Sequence, residues 1–219
     1  EMYWAVTEFD ACAGIEITAS HNPINYNGIK IVKSGSRPLD DVADFQAIKR
    51  LAETEAWTAS KSHGVILDRV DDARSAYVNR ALSFVDKSEL RPLKIVVNSG
   101  NGAAGPTFDA IAKKLAEQNV PLKFVRVHHE PNHKFPHGIP NPLLPQNHAA
   151  TAEVVIEAGA DFGVAFDGDF DRCFFFDEFG AFVPSEYVVG LLASIFLEKE
   201  AGTKVVHDPR VIWNMQDIV

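Results

Sequence analysis

The sequence predicts an α/β protein, with short apolar strands and amphipathic helices alternating around a mostly parallel sheet. Three observations predict it. Apolar strand patterns recur at residues 93–97 (LKIVV), 122–127 (LKFVRV) and 160–166 (ADFGVAF). Helical patterns lie between them, at 107–119 and 147–158. Strand–helix–strand repetition of this kind favours parallel pairing, with helices on the sheet faces. The 219 residues suffice for one large domain or two small ones, and an apolar share of 46% is ordinary for a chain with a real core.

Taken in order, residues 14–19 (GIEITA) read as a strand, with Ile15 and Ile17 alternating and Thr18 β-branched. Asn22-Pro23 breaks regular structure, and Asn27-Gly28 is a strong turn dipeptide. A second strand resumes at 29–32. Residues 40–56 begin with acidic residues and carry Val42, Phe45, Ile48 and Leu51 at helical spacing. A polar loop at 57–64 separates them from a second amphipathic helix at 71–84. Residues 88–92 read as a linker into the first strand of the α/β repeat. A glycine-rich turn leads to helix 107–119, and a loop rich in Pro and His spans 128–145. Residues 174–176 and 181–183 bracket Glu178-Phe179-Gly180 and read as a hairpin. Pro184 opens a third unit, with an apolar helix at 185–199, a strand at 204–207 and a helix beginning near the end. A helix and a strand cannot bury their own apolar faces, so this last unit is expected to be truncated.

Composition excludes several classes. A net charge of −9 without long charged runs argues against a nucleic-acid or membrane-surface partner. An anionic substrate must then be held by local Arg, Lys, metal or helix N-termini. No apolar stretch approaches a membrane span. The first ten residues (EMYWAVTEFD) do not read as a signal peptide, and a start at Glu1 fits a fragment. Two cysteines, Cys12 and Cys173, are too few for a disulfide framework or a zinc cluster, as expected of reduced thiols in the cytoplasm.

Two segments carry chemistry. Residues 20–30 (SHNPINYNGIK) place Ser20, His21 and Lys30 around a chain reversal. A serine at the mouth of a turn can act as a nucleophile once its proton is removed or its charge stabilised. Residues 167–172 (DGDFDR) follow an apolar run and put three carboxylates, Asp167, Asp169 and Asp171, at alternate positions. Such carboxylates repel unless a cation lies among them, and hard oxygen ligands suit Mg²⁺. Arg172 adds a rigid donor fork suited to phosphate.

Together these segments resemble the α-D-phosphohexomutase family. That family's T-A-S-H-N-P serine segment is matched by residues 18–23, and its D-G-D-x-D-R metal loop by residues 167–172. Residues 98–106 (NSGNGAAGP), 138–145 (GIPNPLLP) and 207–210 (HDPR) extend the likeness toward the family's bacterial phosphomannomutase branch. The resemblance implies mixed-sheet α/β domains around a cleft, incomplete in this chain. Residues 1–87 would be the C-terminal part of domain I, 88–183 domain II and 184–219 the start of domain III. It implies a reversible transfer of phosphate between the 1- and 6-positions of a hexose phosphate, with Ser20 resting as phosphoserine and a hexose 1,6-bisphosphate as intermediate. It gives Lys30 the role of general acid/base, places His21 in the active site, and makes Arg172 a support for the transferring group. One Mg²⁺ would be held by Asp167, Asp169, Asp171 and the Ser20 phosphate. The segments that read the sugar would lie beyond Val219, which leaves mannose against glucose open. The chain alone is expected to be inactive yet able to bind Mg²⁺. No sequence signal bears on oligomeric state. Phe170 departs from the glycine most common at its position in that branch, and so alters the loop's backbone options.

Rival readings attach to the same residues. Asp167, Asp169 and Asp171 with Glu178 at position twelve mimic a calcium loop, but Arg172 stands where that loop needs glycine. A phosphatase using Asp167 as nucleophile leaves the serine segment unexplained. Residues 100–105 match G-x-G-x-x-G between a strand and a helix, with Glu130 beyond the next strand, which is also the context of a dinucleotide site, but the resemblance implies a tight strand-to-helix turn that binds no NAD. His128, His129, His133 and His137 look like a metal cluster, but Pro131 and Pro136 prevent a helix from aligning them, so a polar loop is expected. A binding module that has lost catalysis would show a substituted serine, lysine or aspartate, and none is substituted.

Overall fold

The computed structural model describes residues 1–59 and 61–218. The chain folds as two units, residues 1–87 and 88–219.

The first unit opens with α1 (Met2–Glu8), an element the sequence reading left unassigned. Strands β1 (Ala13–Ile17), β2 (Ile29–Lys33) and β3 (Arg37–Pro38) form an antiparallel sheet in that order. β1 is shorter than the expected 14–19 strand. Thr18 keeps one ladder bond, its N–H donating to the Gly28 carbonyl at 3.0 Å, and beyond it the chain turns away. Helix α2 (Asp44–Thr54) begins later than Asp40. The Asp40 carboxylate accepts from the N–H groups of Val42 and Ala43, so it closes a turn ahead of the helix. Helix α3 (Val70–Leu82) follows and buries Val78 and Leu82. Trp4 of α1 meets Tyr77 of α3 edge to face at 5.7 Å, an arrangement that suits their ring quadrupoles.

In the second unit β4 (Leu93–Asn98), α4 (Ala104–Glu117), β5 (Leu122–Val127), α5 (Ala149–Ala158), β6 (Phe162–Phe166), β7 (Cys173–Phe176) and β8 (Phe182–Val183) build one five-stranded sheet. Its order is β5-β4-β6-β7-β8. The β4/β5 and β4/β6 pairs are parallel, whereas β6/β7 and β7/β8 are antiparallel. The sheet is therefore mixed, because a six-residue loop joins β6 to β7 and is too short for a parallel crossover. Period-two alternation sends Ile95 and Val97 to the face of Phe108 and Ala112 on α4. Val96 goes to the other face, with Val155 of α5, Ala165 and Phe176. Helices on both faces make β4 a central buried strand, which is why its pattern is continuously apolar.

Helix α4 starts at Ala104, ahead of the expected 107, because Pro106 in a first turn has no helical hydrogen bond to lose. Helix α6 (Ser185–Lys199) and α7 (Ile212–Ile218) complete the chain and pack on each other through Gly190, Asn214 and Ile218. The expected strand at 204–207 does not form. An isolated strand leaves its ladder groups unpaired, and among the described residues no edge pairs with this segment; Val206 is almost fully exposed. Among the described residues no helix is long and apolar enough to cross a membrane.

Candidate active site

Ser20 stands just past β1, at φ 53°, in the left-handed region that L-residues other than Gly, Asn and Asp rarely enter. Its N–H donates to Thr18 Oγ1 at 2.8 Å, and both the backbone and side-chain N–H groups of Asn22 donate to the Ala19 carbonyl. These bonds hold the corner in its strained form. Strain of this kind clusters at functional positions. His21 Nδ1 lies 3.1 Å from Ser20 Oγ, so the imidazole can orient the hydroxyl or exchange a proton with it. Gly28 closes the reversal, because a Cβ there would stand 2.6 Å from the Thr18 carbonyl oxygen. Lys30, on β2, is half-buried and directly opposite Glu16 of β1.

The second cluster occupies the β6–β7 hairpin. Asp167 is fully buried, and Asp169 and Asp171 are progressively more exposed. One oxygen from each lies within 4.8 Å of the others. Oxygens on opposite sides of an ion with bonds of about 2.1 Å stand about 4.2 Å apart. An all-oxygen set within this reach can hold a hard cation such as Mg²⁺. Burial pushes the Asp167 carboxyl above the usual range, and Asp169 and Asp171 add to the rise against the opposing pull of Arg172. Arg172 donates from Nη2 and Nε to Asp167 Oδ2, at 2.7 and 3.1 Å, and from its backbone N–H to Oδ1 at 3.1 Å. Its Nε also reaches Asp171 at 3.4 Å. The guanidinium thus neutralises part of the carboxylate charge from within the loop.

Phe170 adopts φ 65°, the conformation a glycine would take freely. The left-handed backbone costs an L-residue about 1–2 kcal/mol. The ring packs edge to face on Phe166 at 4.8 Å, a contact worth about 0.5–1.5 kcal/mol beyond its buried area. The substitution therefore keeps the loop's backbone path and offsets much of its cost.

The rival readings separate on this geometry. Strands, not helices, flank the carboxylate loop, and Glu178 lies past the far end of β7, so no calcium helix–loop–helix exists. Asp167 has both oxygens bonded and no exposure, which removes it as a phosphatase nucleophile. The G-x-G-x-x-G turn is occupied by protein. A Cβ on Gly102 would lie 2.5 Å from the Gly168 carbonyl oxygen, and the Ala103 N–H donates to that oxygen at 3.0 Å. A cavity of about 110 Å³ opens beside Gly100, below the roughly 300–1,000 Å³ of ligand pockets. That turn braces the carboxylate loop and leaves no room for a pyrophosphate. His128 and His137 stack face to face at 3.8 Å, and His129 turns to Asp109 at 2.9 Å. Among the described residues only the three aspartates form a group able to hold a metal.

The sequence reading did not single out Ser99. Its Oγ lies 3.4 Å from His129 Nδ1, and His129 Nε2 reaches Asp109 Oδ2, which strings a serine, an imidazole and a carboxylate together. Ser99 is wholly buried, so no substrate reaches it, and the chain acts as a tie between β4, β5 and α4. Burial alone would raise the Asp109 carboxyl. Hydrogen bonds from His129 and Arg126 outweigh that effect and hold it below the usual carboxylate range. No local motif marks these three residues, because they meet only through the sheet.

Known proteins match this chain over the stretches that contain both segments. Residues 1–59 match the family described as phosphoglucomutase/phosphomannomutase, alpha/beta/alpha domain I, and residues 75–180 match its domain II. A phosphomannomutase of Salmonella montevideo is 48% identical over 219 residues, which are 100% of this chain and 48% of that protein. A protein of Xanthomonas campestris pv. campestris named for phosphohexose mutases is likewise 48% identical, over 100% of this chain and 47% of its own. A crystal structure of a phosphoglucomutase/phosphomannomutase family protein from Burkholderia thailandensis superposes with a TM-score of 0.71 at 31% identity, over 87% of this chain and 39% of that one. The chain spans about half the length of the curated relatives it matches.

Proposed function

The chain belongs to the phosphoglucomutase/phosphomannomutase family, and on that premise we propose that it supplies the phosphoryl-transfer machinery of a phosphomannomutase. The reaction would interconvert mannose 6-phosphate and mannose 1-phosphate. The observation that carries the reading is the aspartate cluster around the buried Asp167, in a chain that also holds Ser20 at a strained corner beside His21. Residues 1–87 would belong to domain I, 88–183 to domain II and 184–219 to the start of domain III.

In this reading Ser20 Oγ carries the phosphoryl group. A hexose phosphate hydroxyl attacks phosphorus, a new sugar O–P bond forms, and the bond to Ser20 Oγ breaks. Lys30, neutral at that moment, takes the hydroxyl proton. His21 orients Ser20 through their 3.1 Å contact. The product is a hexose 1,6-bisphosphate, which returns its other phosphate to Ser20 as Lys30 gives the proton back. Asp167, Asp169 and Asp171 would hold Mg²⁺, with an oxygen of the Ser20 phosphate as a further ligand. A cation held by these residues would supply positive charge to offset the negative charge developing on the transferring phosphoryl group. Arg172 would offset part of the carboxylate charge at Asp167 and add positive charge beside the transferring group. The free thiols Cys12 and Cys173 accord with a cytoplasmic setting.

The test is turnover of the protein carrying these residues on mannose 1-phosphate and on glucose 1-phosphate. Mg²⁺ and a trace of hexose 1,6-bisphosphate are present, and Ser20→Ala is the control. Preference for mannose 1-phosphate, abolished by Ser20→Ala, is the expected result. Preference for glucose 1-phosphate would keep the chemistry and change the substrate. Full activity in Ser20→Ala would end the phosphoserine reading. Asp169→Ala is expected to weaken the response to Mg²⁺, and an unaltered Mg²⁺ dependence would count against the aspartate site.

A further inference from the structure

Asn101 stands at φ 58° in the turn between β4 and α4 and is buried. All four of its polar atoms are bonded to one segment, residues 128–137. Its N–H donates to the His128 carbonyl at 2.6 Å, and its carbonyl accepts from the Asn132 N–H at 2.8 Å. Its Nδ2 donates to the Glu130 carbonyl at 2.8 Å, and its Oδ1 accepts from His137 Nδ1 at 2.8 Å. The Nδ2 bond fixes the amide's orientation, which in turn makes His137 Nδ1 the donor. His137 also stacks on His128, whose carbonyl holds the Asn101 N–H. The next two residues are those that touch the carboxylate loop. Gly102 packs against Gly168, and the Ala103 N–H donates to the Gly168 carbonyl. Gly168 lies between Asp167 and Asp169.

We infer that Asn101 is a positioning residue for the metal-binding aspartates. It fixes the turn whose backbone locates Gly168, and it draws its own rigidity from the histidine-rich segment. That gives the histidines a purpose other than ligation. The inference rests on the reading that Asp167, Asp169 and Asp171 hold Mg²⁺. Groups that orient metal ligands from outside the coordination shell typically change affinity by about 10- to 100-fold when removed.

The experiment measures Mn²⁺ binding, as a probe of that site, by the full chain and by Asn101→Gly, His137→Ala and Asp169→Ala. Thermal unfolding and amide exchange accompany each titration. Asn101→Gly keeps the left-handed backbone and removes only the two side-chain bonds. It is expected to weaken Mn²⁺ binding about 10- to 100-fold. Exchange at the Ala103 amide should quicken, while Val96 and Val164 stay protected. His137→Ala is expected to do the same to a smaller degree, and it decides the matter if Asn101→Gly does not fold. Unchanged Mn²⁺ affinity in a folded variant, with Asp169→Ala still abolishing binding, overturns the inference alone. Absence of binding by the unaltered chain, or binding indifferent to Asp169→Ala, overturns the aspartate site and the inference with it.

Discussion

Gly102→Ala probes the contact that joins the glycine turn to the carboxylate loop. The added Cβ would stand 2.5 Å from the Gly168 carbonyl oxygen and 3.0 Å from its Cα. Both atoms belong to backbone, so no side chain can swing aside to make room. Overpacking of a tight site costs about 1–3 kcal/mol. If the turn moves away instead, the bond from Ala103 N–H to Gly168 is lost, at about 0.5–1.5 kcal/mol. Alanine also restricts the unfolded chain, which returns about 0.4–1 kcal/mol. The net loss is then up to about 2.6 kcal/mol. For a chain of this size each kcal/mol moves Tm by about 2–4 °C, so a fall of up to about 10 °C is expected in a calorimetric scan. A titration with Mn²⁺ on the same sample should show weaker binding, because the loop that yields carries the aspartates. An unchanged Tm together with unchanged Mn²⁺ affinity would mean that the two backbones do not meet in solution. The bracing of the carboxylate loop would then be refuted.

Two further outcomes concern stability. Thr151 is fully buried, and its Oγ1 accepts from Asn98 Nδ2 at 3.0 Å; Thr151→Val leaves that buried donor without its acceptor and is expected to cost about 1–3 kcal/mol, read as a lower denaturation midpoint with an unchanged slope. Asp109 has a folded pKa below its unfolded value, so its contribution is present above the ordinary carboxylate range and is lost as pH falls through the folded pKa. Asp109→Asn is therefore expected to flatten the acid limb of the stability curve below about pH 4, and curves that coincide there would refute the assignment.

Much of the fold was legible because burial and backbone geometry act locally. The continuous apolar run of β4 marked a strand covered on both faces, as Val96 and Val97 show. Asn27-Gly28 and the alternating isoleucines marked the hairpin that presents Ser20. The three aspartates were legible because alternate carboxylates are costly without a cation. Other features were not. Residues 204–207 have strand-forming side chains, but a strand also needs a partner edge, and propensity does not supply one. The mixed sheet was implied by the resemblance alone; its antiparallel half, β6/β7 and β7/β8, follows from connections too short for a parallel crossover.

By itself the sequence determined which residues we propose to carry the chemistry: Ser20, His21 and Lys30 in one segment, and Asp167, Asp169, Asp171 and Arg172 in another. It did so because each set is close in sequence, and a turn or a hairpin suffices to gather it. Only the tertiary structure decided what the glycines of residues 100–105 and the histidines of residues 128–137 are for. Their spacing also matches a nucleotide cradle or a metal cluster, readings set aside on sequence grounds that leave open what these residues do instead. Their partners, Gly168 for Gly102 and Asn101 for His137, lie in loops at the ends of other strands. A close backbone approach or a hydrogen bond between remote segments leaves no local periodicity, so it exists only once the sheet has brought those strand ends together.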